Sequence, residues 1–307
     1  MKRIRVFVPG SIGNVGPGLD VLGLAVRGRG DTLVAERTRA GVIEVCDPGH
    51  PELPREPTKH ASALAARAVL RRVGSRADGL KLWLRKGLPL AGGQGGSAAS
   101  AVAGAVATNA LFGSPLSRDD LLLAALESES VLAGRHLDNI APSLLGGLVL
   151  IRTMTPLDVV RLEPPKGLHI ALVKPDYELP TKRGRSALPR RVDRAIAVHQ
   201  AAQVAAMVAG AFRNDVALFG RAIDDRIAEP ARVRLLPGFA AAKRAALRAG
   251  AAGCSISGSG PTLFAVAASR AAATRAGAAA QRAYARAGYR SVVRVTTPDR
   301  TGARVIR

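Results

Sequence analysis

The stretch LPLAGGQGGSAASAVAGAV, at residues 88–106, holds four glycines within five residues and continues directly into a run of small, helix-forming residues. Because glycine has no β-carbon, the backbone of such a loop can pass close to a phosphate, and the first-turn N–H groups of the following helix direct positive charge towards it. No Gly-Lys-Ser/Thr follows, which excludes a P-loop, and the glycine spacing does not fit Gly-x-Gly-x-x-Gly. A strand-to-helix turn without a ligand would explain two such glycines, but four followed by Ser97 favour phosphate binding.

Two other loops have the same character. PGSIGNVGPGLDVLGLA, at residues 9–25, places Asn14 and Asp20 among glycines and prolines. SISGSGPTLFA, at residues 255–265, is a Gly/Ser turn between two apolar runs. Each could be a tight turn by itself.

Together, and in this order, the three stretches resemble the signature motifs of the GHMP small-molecule kinases. Residues 14–20 resemble the Asn-x-Gly-Pro-Gly-x-Asp form of the N-terminal motif, and residues 257–262 match the C-terminal Ser-Gly-Ser-Gly-Pro-Thr turn. Residues 89–99 are similar to the nucleotide loop Pro-x3-Gly-Leu-Gly-Ser-Ser-Ala-Ala, with Gln94 in place of leucine and Gly96 in place of the first serine. The change at Gly96 leaves Ser97 as the hydroxyl available to a metal, and the sequence does not decide its effect.

Three further segments resemble the homoserine-kinase branch of this family. GRHLDNIAPSLLGGLVL, at residues 134–150, is similar to the His-x-Asp-Asn segment of the family. ELPTKRGRSALP, at residues 178–189, and DRIAEPARVRLLPGF, at residues 225–239, resemble arginine-bearing segments that the mevalonate-type relatives lack. The resemblance implies ATP-dependent phosphorylation of the side-chain hydroxyl of L-homoserine, a step of threonine biosynthesis, with Mg²⁺ as cofactor.

The fold class that the sequence predicts is α+β, because strands and helices alternate irregularly. Helices are expected at residues 60–73, from 97 onwards, and at 117–133, 192–212, 215–226, 239–248 and 271–287. Strands are expected at residues 3–8, 33–36, 42–46, 80–84, 146–151, 168–173, 253–266 (as a strand–turn–strand) and 291–295. The resemblance implies an N-terminal domain with a left-handed βαβ unit and a ferredoxin-like C-terminal domain, with ATP and substrate between them. We place these domains at residues 1–155 and 166–307, on either side of a proline-rich stretch.

By resemblance, the nucleotide is bound by the loop and by the Gly/Ser turn. The residues expected at ATP are Pro89, Leu90, Ala91, Gly92, Gly93, Gln94, Gly95, Gly96, Ser97, Ala98, Ala99, Gly258, Ser259 and Gly260. The metal ligands are expected to be Ser97 and a glutamate on the helix that precedes the His-x-Asp-Asn segment. Glu127 and Glu129 lie two residues apart, on different faces of that helix. We prefer Glu129; the alternative is that both are solvated surface charges.

The acceptor site is also assigned by resemblance. Asn14 and Asp20 are expected to bind the ammonium group of the amino acid, and Arg185 and Arg232 its carboxylate, for which the planar guanidinium is suited. Asn139 is expected at the substrate, and Thr181 and Arg185 near the transferred phosphoryl group. Asp138 is placed in the active site, with a role as general base left open, because a loose transition state for phosphoryl transfer needs little help from a base.

Composition limits the other function classes. The chain carries 45 basic and 23 acidic residues, for a net charge of +22, which is typical of proteins with polyanionic partners. The basic residues are scattered and aromatics make up only 3% of the chain, so nucleic-acid binding is not predicted, although a basic nucleic-acid-binding protein is the rival from another class. The nearest rival is another GHMP kinase, acting on mevalonate, a diphosphocytidyl-erythritol or a sugar. Asp20 argues against it, because such acceptors carry no ammonium group.

Location and assembly are less constrained. The two cysteines lie far apart, which disfavours a zinc site or a disulfide framework and fits a reducing cytoplasm. The most apolar run, at residues 98–112, is too short to span a bilayer, so no membrane partner is predicted. A homodimer is compatible with the sequence, which decides neither the oligomeric state nor feedback regulation.

Overall fold

The computed structural model describes residues 3–39, 41–75 and 78–307. The strands in these residues are β1 (Arg3–Gly13), β2 (Leu22–Thr38), β3 (Ile43–Asp47), β4 (Gly79–Arg85), β5 (Leu148–Met154), β6 (Leu157–Leu162), β7 (His169–Pro175), β8 (Gly253–Ile256), β9 (Leu263–Ala267), β10 (Ser291–Thr296) and β11 (Arg304–Ile306). The helices are α1 (Ala61–Arg72), α2 (Gly96–Leu111), α3 (Arg118–Leu132), α4 (Ile140–Leu145), α5 (Thr181–Ser186), α6 (Arg194–Phe212), α7 (Val216–Arg221), α8 (Ala228–Val233), α9 (Phe239–Arg248) and α10 (Arg270–Arg286).

The first sheet is built around the long strand β2. Its start, at residues 22–24, pairs with β5, and its end, at residues 32–38, pairs with β4. The strand order is β11-β1-β2-β4-β3, and β5 and β6 extend the sheet from β2. β3 and β4 are parallel and are joined through α1, which gives the βαβ unit that the resemblance implied. β11 pairs with β1, so the last strand of the chain belongs to the sheet that the first strand starts.

Small side chains let the helices of the first half pack closely on this sheet. Most residues of α2 are buried, and half of these buried residues are alanines. A β-carbon at Gly104 would lie 2.1 Å from the carbonyl oxygen of Ser62 in α1, so the close approach of the two helices requires glycine there. α3 begins with a capped turn, since the Ser117 hydroxyl accepts from the N–H of Asp120 in a capping box. This packing fixes the start of α2, and with it the glycine-rich loop.

The second sheet has the order β10-β7-β9-β8, and all adjacent strands in it are antiparallel. Numbered within the sheet, this order is 4-1-3-2, the order of a ferredoxin-like fold, as expected. Helices α9 and α10 cover one face. The other face meets the first sheet in a shared apolar core, to which Ile12 and Leu24 contribute from one sheet and Ile170 and Phe264 from the other. The loops at the edge of this seam form the cavity described below.

The structure differs from the sequence prediction in several segments. The proline-rich stretch at 156–165, expected to separate the domains, contains β6, which forms a hairpin with β5 in the first sheet. The helix expected at 215–226 ends at Arg221, because the Asp225 carboxylate instead accepts backbone N–H groups at the start of α8. The division into domains at 1–155 and 166–307 stays a prediction.

One helix in the described ranges, α6, is long and apolar enough to cross a membrane by length and composition alone. Its buried residues pack against the rest of the chain, and Gly210 contacts Phe219 in α7. α6 is therefore a packed part of this fold, with one apolar face left outside.

Candidate active site

A cavity of about 580 Å³ opens where the glycine-rich loop meets the Gly/Ser turn. Its walls come from both halves of the chain. Its lining includes the apolar residues Leu53, Pro54 and Leu132 and all of the predicted acceptor residues: Asn14, Asp20, Asp138, Asn139, Thr181, Arg185 and Arg232. Most of the predicted loop residues line the same cavity. The glycine-rich loop and the acceptor residues therefore face one shared space.

The glycine-rich loop has a backbone conformation that side chains would prevent. Gly95 has a φ of +68°, and a β-carbon there would lie 2.2 Å from the Ser11 hydroxyl oxygen. The loop is also tied to the Gly/Ser turn, because Thr262 donates its hydroxyl to the carbonyl oxygen of Gly92 (2.6 Å) and Ser257 donates to that of Gly93 (2.5 Å). The first and third motifs of the sequence analysis therefore hold the second in place.

Three of the residues predicted at ATP do not line the cavity. Gln94 turns away from it and donates its amide to the Thr262 hydroxyl at 3.2 Å. Ala99 is fully buried in the core under the first sheet, and Gly260, within the Gly/Ser turn, lies against Leu236 and Ile256. The unusual glutamine at 94 therefore links two loops. The other predicted loop and turn residues line the cavity.

A buried lysine, which the sequence analysis missed, lies under the loop. Lys86 donates to the Asp31 carboxylate (2.5 Å), to the carbonyl oxygen of Gly96 (2.8 Å) and to the Ser100 hydroxyl (3.1 Å). Asp31 is fully buried, and it also accepts the backbone N–H groups of Gly87 and Leu88. The network clamps the start of the loop to the first turn of α2. In the sequence, the features that could have indicated this network are Lys86, two positions before the glycine-rich stretch, and Asp31, an isolated acidic residue in a strand.

Ser97 and Glu129 form the predicted metal-binding pair. The Ser97 hydroxyl donates to Oε1 of Glu129 at 2.8 Å, while Oε2 is buried without a hydrogen-bond partner among the described residues. Burial raises the pKa of the Glu129 carboxyl above its ordinary value. Glu127 instead lies at the surface, in ion pairs with Arg71 and Arg72. The geometry thus favours Glu129 over Glu127 as the cavity's acidic residue.

These two oxygen donors suit Mg²⁺, which takes few ligands from protein and the rest from phosphates and water. An unsatisfied carboxylate oxygen beside a hydroxyl, at the point where the glycine-rich loop continues into α2, is the donor set that such an ion requires. Within the described part of the chain, no group of three or more His, Cys, Asp or Glu residues could hold a metal by itself.

Asp138 is held from two sides. One carboxylate oxygen accepts the backbone N–H of Asn14 at 3.1 Å, and the other lies 3.1 Å from Nδ1 of His136. Burial opposes a charge on His136, but the hydrogen bond to Asp138 and the charges of Asp138 and Glu129 outweigh it and raise the pKa of the imidazole. Nε2 of His136 is buried and has no partner in the residues described. His136 is therefore a residue of the cavity that is absent from the set expected from the sequence.

The predicted acceptor residues bring carboxylates and guanidinium groups together. Asp20 and Arg185 form a bidentate ion pair, with distances of 2.6 and 3.1 Å. Arg232 is buried, and donates to the carbonyl oxygens of Gly184 (3.1 Å) and Gly258 (2.9 Å). The carbonyl of Gly258 also accepts the side-chain amide of Asn14 at 3.0 Å. All of the predicted acceptor residues therefore lie together, with Asp20 and Arg185 already in contact.

Both halves of the chain match models of one family. Residues 59–147 match the GHMP kinases N terminal domain, and residues 206–286 match the GHMP kinases C terminal domain. Together the matched residues make up more than half of the sequence.

Two curated proteins are similar to this chain along nearly its full length. The chain is 43% identical to homoserine kinase of Arabidopsis thaliana, over 99% of this chain and 84% of that protein. It is 41% identical to homoserine kinase of Chlorobaculum tepidum, over 100% of this chain and 99% of that protein.

Solved structures confirm the predicted two-domain fold. The crystal structure of homoserine kinase from Cytophaga hutchinsonii superposes with a TM-score of 0.94 at 41% identity, over 100% of this chain and 98% of that one. Mevalonate kinase of L. major, solved in complex with R-mevalonate, superposes with a TM-score of 0.71 at 16% identity, over 97% and 96% of the two chains. The second match shows the fold alone.

Proposed function

The chain belongs to the GHMP kinase family, and from that premise we propose that it acts as a homoserine kinase. It transfers the γ-phosphate of ATP to the side-chain hydroxyl of L-homoserine and forms O-phospho-L-homoserine and ADP, a step of threonine biosynthesis. Full-length identity to homoserine kinases supports the reaction. The observation in the site that carries it is that Asp20 and Asn14 lie in the cavity wall together with Arg185 and Arg232.

The acceptor residues fit an amino acid better than a neutral alcohol. An ammonium group needs acceptors, which the Asp20 carboxylate and the Asn14 amide oxygen supply. Arg232 is buried and donates two hydrogen bonds to backbone carbonyl oxygens, which hold its guanidinium in one orientation. A substrate carboxylate would therefore meet a preoriented guanidinium. Mevalonate and sugars carry no ammonium group, and would leave Asp20 without its proposed role.

The proposed nucleotide position follows from the loop. The backbone N–H groups around Gly95 and Gly96 and the start of α2 would bind the phosphates, and the apolar wall residues Leu53 and Leu132 would receive the base. Ser97 and Glu129 would hold Mg²⁺. When bound, the ion neutralises charge on the transferred phosphoryl group.

Catalysis on this proposal is mainly a matter of positioning. With ATP on the glycine-rich loop and homoserine at the acceptor residues, the acceptor hydroxyl would point at the γ-phosphate, and Thr181 lies in the wall of the same cavity. Asp138 accepts from the backbone of Asn14 and pairs with His136, so both of its oxygens already have partners. We propose that Asp138 orients these groups. A loose transition state does not require it to take the hydroxyl proton early.

The compartment proposed is the cytoplasm. Cys46 and Cys254 are both free thiols, which a reducing compartment preserves.

The test is a substrate panel with the purified chain. ADP release and the phosphorylated product are measured with homoserine, mevalonate, galactose and shikimate. We expect turnover with homoserine and product mass equal to that of O-phosphohomoserine. Faster turnover of mevalonate or galactose would reject homoserine as the acceptor. Absence of turnover on every acceptor, together with salt-dependent binding to DNA or RNA, would favour the basic nucleic-acid-binding alternative.

A further inference from the structure

The outer face of the first sheet carries aromatic and basic side chains that solvent can reach. Side chains alternate along a strand, so Val6 and Leu82 belong to the core with the helices, whereas Arg5, Trp83 and Arg85 lie on the opposite face. Arg5 and Arg85 are exposed, and Trp83, the one tryptophan of the chain, is partly exposed. The kinase site uses none of these residues, so this face has no assigned role.

The strand register aligns these side chains in two adjacent rows that cross β4, β2, β1 and β11. One row holds Arg85, Phe7 and Arg304 with a threonine among them, and the next holds Trp83 and Arg5 with a valine and an isoleucine. The two rows therefore contain three arginines and two aromatic rings, and no acidic residue. Strands about 4.8 Å apart and a rise of about 3.4 Å per residue place the two rings about 12 Å from each other.

The positive charge of the two rows is not neutralised by neighbours. Arg5 and Arg85 form no ion pair with any residue that the structure describes. Glu36, in the row beyond, is already paired with Arg3 at 2.6 Å. Asp47 lies beside the rows only at the far edge, on β3. The centre of this face is therefore a basic surface on a chain that already carries a net charge of +22.

Positive charge is also held beside each aromatic ring. The guanidinium carbon of Arg304 lies 4.5 Å from the ring centre of Phe7, and that of Arg3 lies 5.2 Å from the ring centre of Trp83. Aromatic rings beside arginines, on a flat basic surface, are the elements with which proteins bind single-stranded nucleic acids.

A polar cavity of about 610 Å³ continues the basic surface at the end of the first row. Arg304 belongs to both, and Arg27 and Arg300 also line the cavity. Arg300 is paired with Glu163, and Arg304 lies 3.6 Å from Asp299. Arg27 has no ion pair among the residues described, so the path of positive charge extends from the sheet into this cavity.

We propose that this face binds single-stranded nucleic acid, with bases stacked on Phe7 and Trp83 and phosphates at Arg5, Arg85 and Arg304. Charge selects a polyanion as the partner, because a basic surface without acidic side chains attracts closely spaced negative charges. The two rings select a polyanion whose bases are free to stack, which those of a duplex are not. The scattered order of these residues in the chain hides the surface, since four strands assemble it.

The nucleic-acid surface and the kinase cavity lie on opposite sides of the first sheet. The buried alanines of α2, the helix that continues the glycine-rich loop, pack with Val6 and Leu82 on the inner face. A strand bound to the outer face therefore leaves the cavity open. The proposal goes beyond the proposed kinase function, and homoserine turnover and oligonucleotide binding can each fail without the other.

The first measurement uses the fluorescence of Trp83, which no other tryptophan obscures. The full chain is titrated with a short oligouridylate, and we expect its emission to be quenched as a base stacks on the ring. Contacts from three arginines to phosphates predict that the logarithm of the association constant falls with that of the salt concentration at a slope of about −2. Heparin, a polyanion without bases, is the control and should leave the emission almost unchanged. Equal quenching by heparin, or no binding of oligouridylate at low salt, would overturn the proposal.

Two variants separate this face from the general charge of the protein. Arg5→Glu should weaken oligouridylate binding and reduce the magnitude of the salt slope by about 0.7. Arg244→Glu changes the net charge equally at an exposed position on α9, and should bind nearly as the wild type does. Equal losses in the two variants would show that only the overall charge matters, and would reject the site.

A third variant tests the stacking itself. Phe7→Leu keeps an apolar side chain but removes the ring, so oligouridylate should bind about fivefold or more weakly while heparin binds as before. Homoserine turnover near that of the wild type shows that the variant is folded. Unchanged oligouridylate affinity in a folded Phe7→Leu variant would contradict the proposed stacking. Phosphatidylglycerol vesicles are the remaining probe. Vesicle binding that Arg5→Glu abolishes, without any oligouridylate binding, would assign the face to lipid and reject nucleic acid.

Discussion

The guanidinium of Arg185 and the carboxylate of Asp20 form a bidentate ion pair, with Nη2–Oδ1 and Nη1–Oδ2 distances of 2.6 and 3.1 Å. The sequence predicts that these two residues bind opposite ends of an amino acid. Because they contact each other, a zwitterionic substrate must displace both. Its ammonium group replaces the guanidinium at Asp20, and its carboxylate replaces Asp20 at Arg185. Both side chains are more than a third exposed, so water can enter during the exchange.

The first prediction concerns the substrate carboxylate. 3-Amino-1-propanol keeps the ammonium and hydroxyl of homoserine but lacks the carboxylate, and would leave Arg232 buried without its counter-ion. We expect a loss in kcat/KM equivalent to roughly 2–5 kcal/mol relative to homoserine. Arg232→Ala should shrink this preference by weakening homoserine far more than the alcohol. Arg234→Ala, at an exposed position two residues later, is the control and should leave the preference intact. Equal kcat/KM for both substrates in the wild type would reject the clamp.

The second prediction separates the two glutamates of α3. Glu129→Gln removes the charge of the buried oxygen that faces the cavity, so we expect turnover to fall severely and the Mg²⁺ concentration for half-maximal rate to rise. Glu127→Gln breaks only exposed ion pairs with Arg71 and Arg72, which contribute about 0–1 kcal/mol to folding stability. Its turnover should stay near that of the wild type. The reverse pattern would show that the metal ligand is Glu127.

The third prediction concerns the glycine-rich loop. Gly95→Ala puts a β-carbon 2.2 Å from the Ser11 hydroxyl, so the loop must shift and the KM for ATP should rise. Gly113→Ala is the matched control. Gly113 also has a positive φ, of +87°, but nothing lies within 4 Å of a β-carbon there in the described residues. The Gly113→Ala variant should lose about 1 kcal/mol of folding stability through backbone strain, without a change in the KM for ATP. An unchanged KM in a folded Gly95→Ala variant would place the phosphates elsewhere.

The fourth prediction concerns the lysine under the loop. Lys86→Met leaves the fully buried Asp31 carboxylate without its counter-charge, and we expect the free energy of unfolding to fall by about 3–5 kcal/mol. Lys81→Met, on the strand β4 that ends one residue before Lys86, removes an exposed contact with Glu44 at 3.6 Å and should cost about 0–1 kcal/mol. Urea denaturation of the two variants gives both values. Comparable losses would mean that Asp31 finds another partner.

Much of the fold and of the site could be predicted, because the determining features are local in sequence. The nucleotide loop needs glycine where the backbone has a positive φ or touches a neighbour, and α9 begins and ends at the residues that its apolar spacing indicated. The same holds for the strand–turn–strand of the Gly/Ser turn. The face of α3 on which Glu129 lies, in contact with Ser97, follows from its position along that helix, and its role as a metal ligand stays a prediction.

What could not be predicted depends on partners far apart in the chain. α5 and α8 have six residues each, too few for an apolar period, and α8 starts where Asp225 supplies a cap. The pairing of Asp20 with Arg185 joins positions 165 residues apart, and that of Lys86 with Asp31 joins the residue after β4 to β2. His136 looked like an ordinary polar residue, because its environment is created by Asp138 and Glu129 together.

The pairing of β11 with β1 affects how the protein is made. The strand at Arg304–Ile306 completes the edge of a sheet whose other strands are all synthesised by residue 162. While the ribosome translates the second half, β1 presents an unpaired edge to its surroundings. Arg3 and Arg5 lie on that edge, and their charge discourages the edge from pairing with other nascent chains until the last strand arrives.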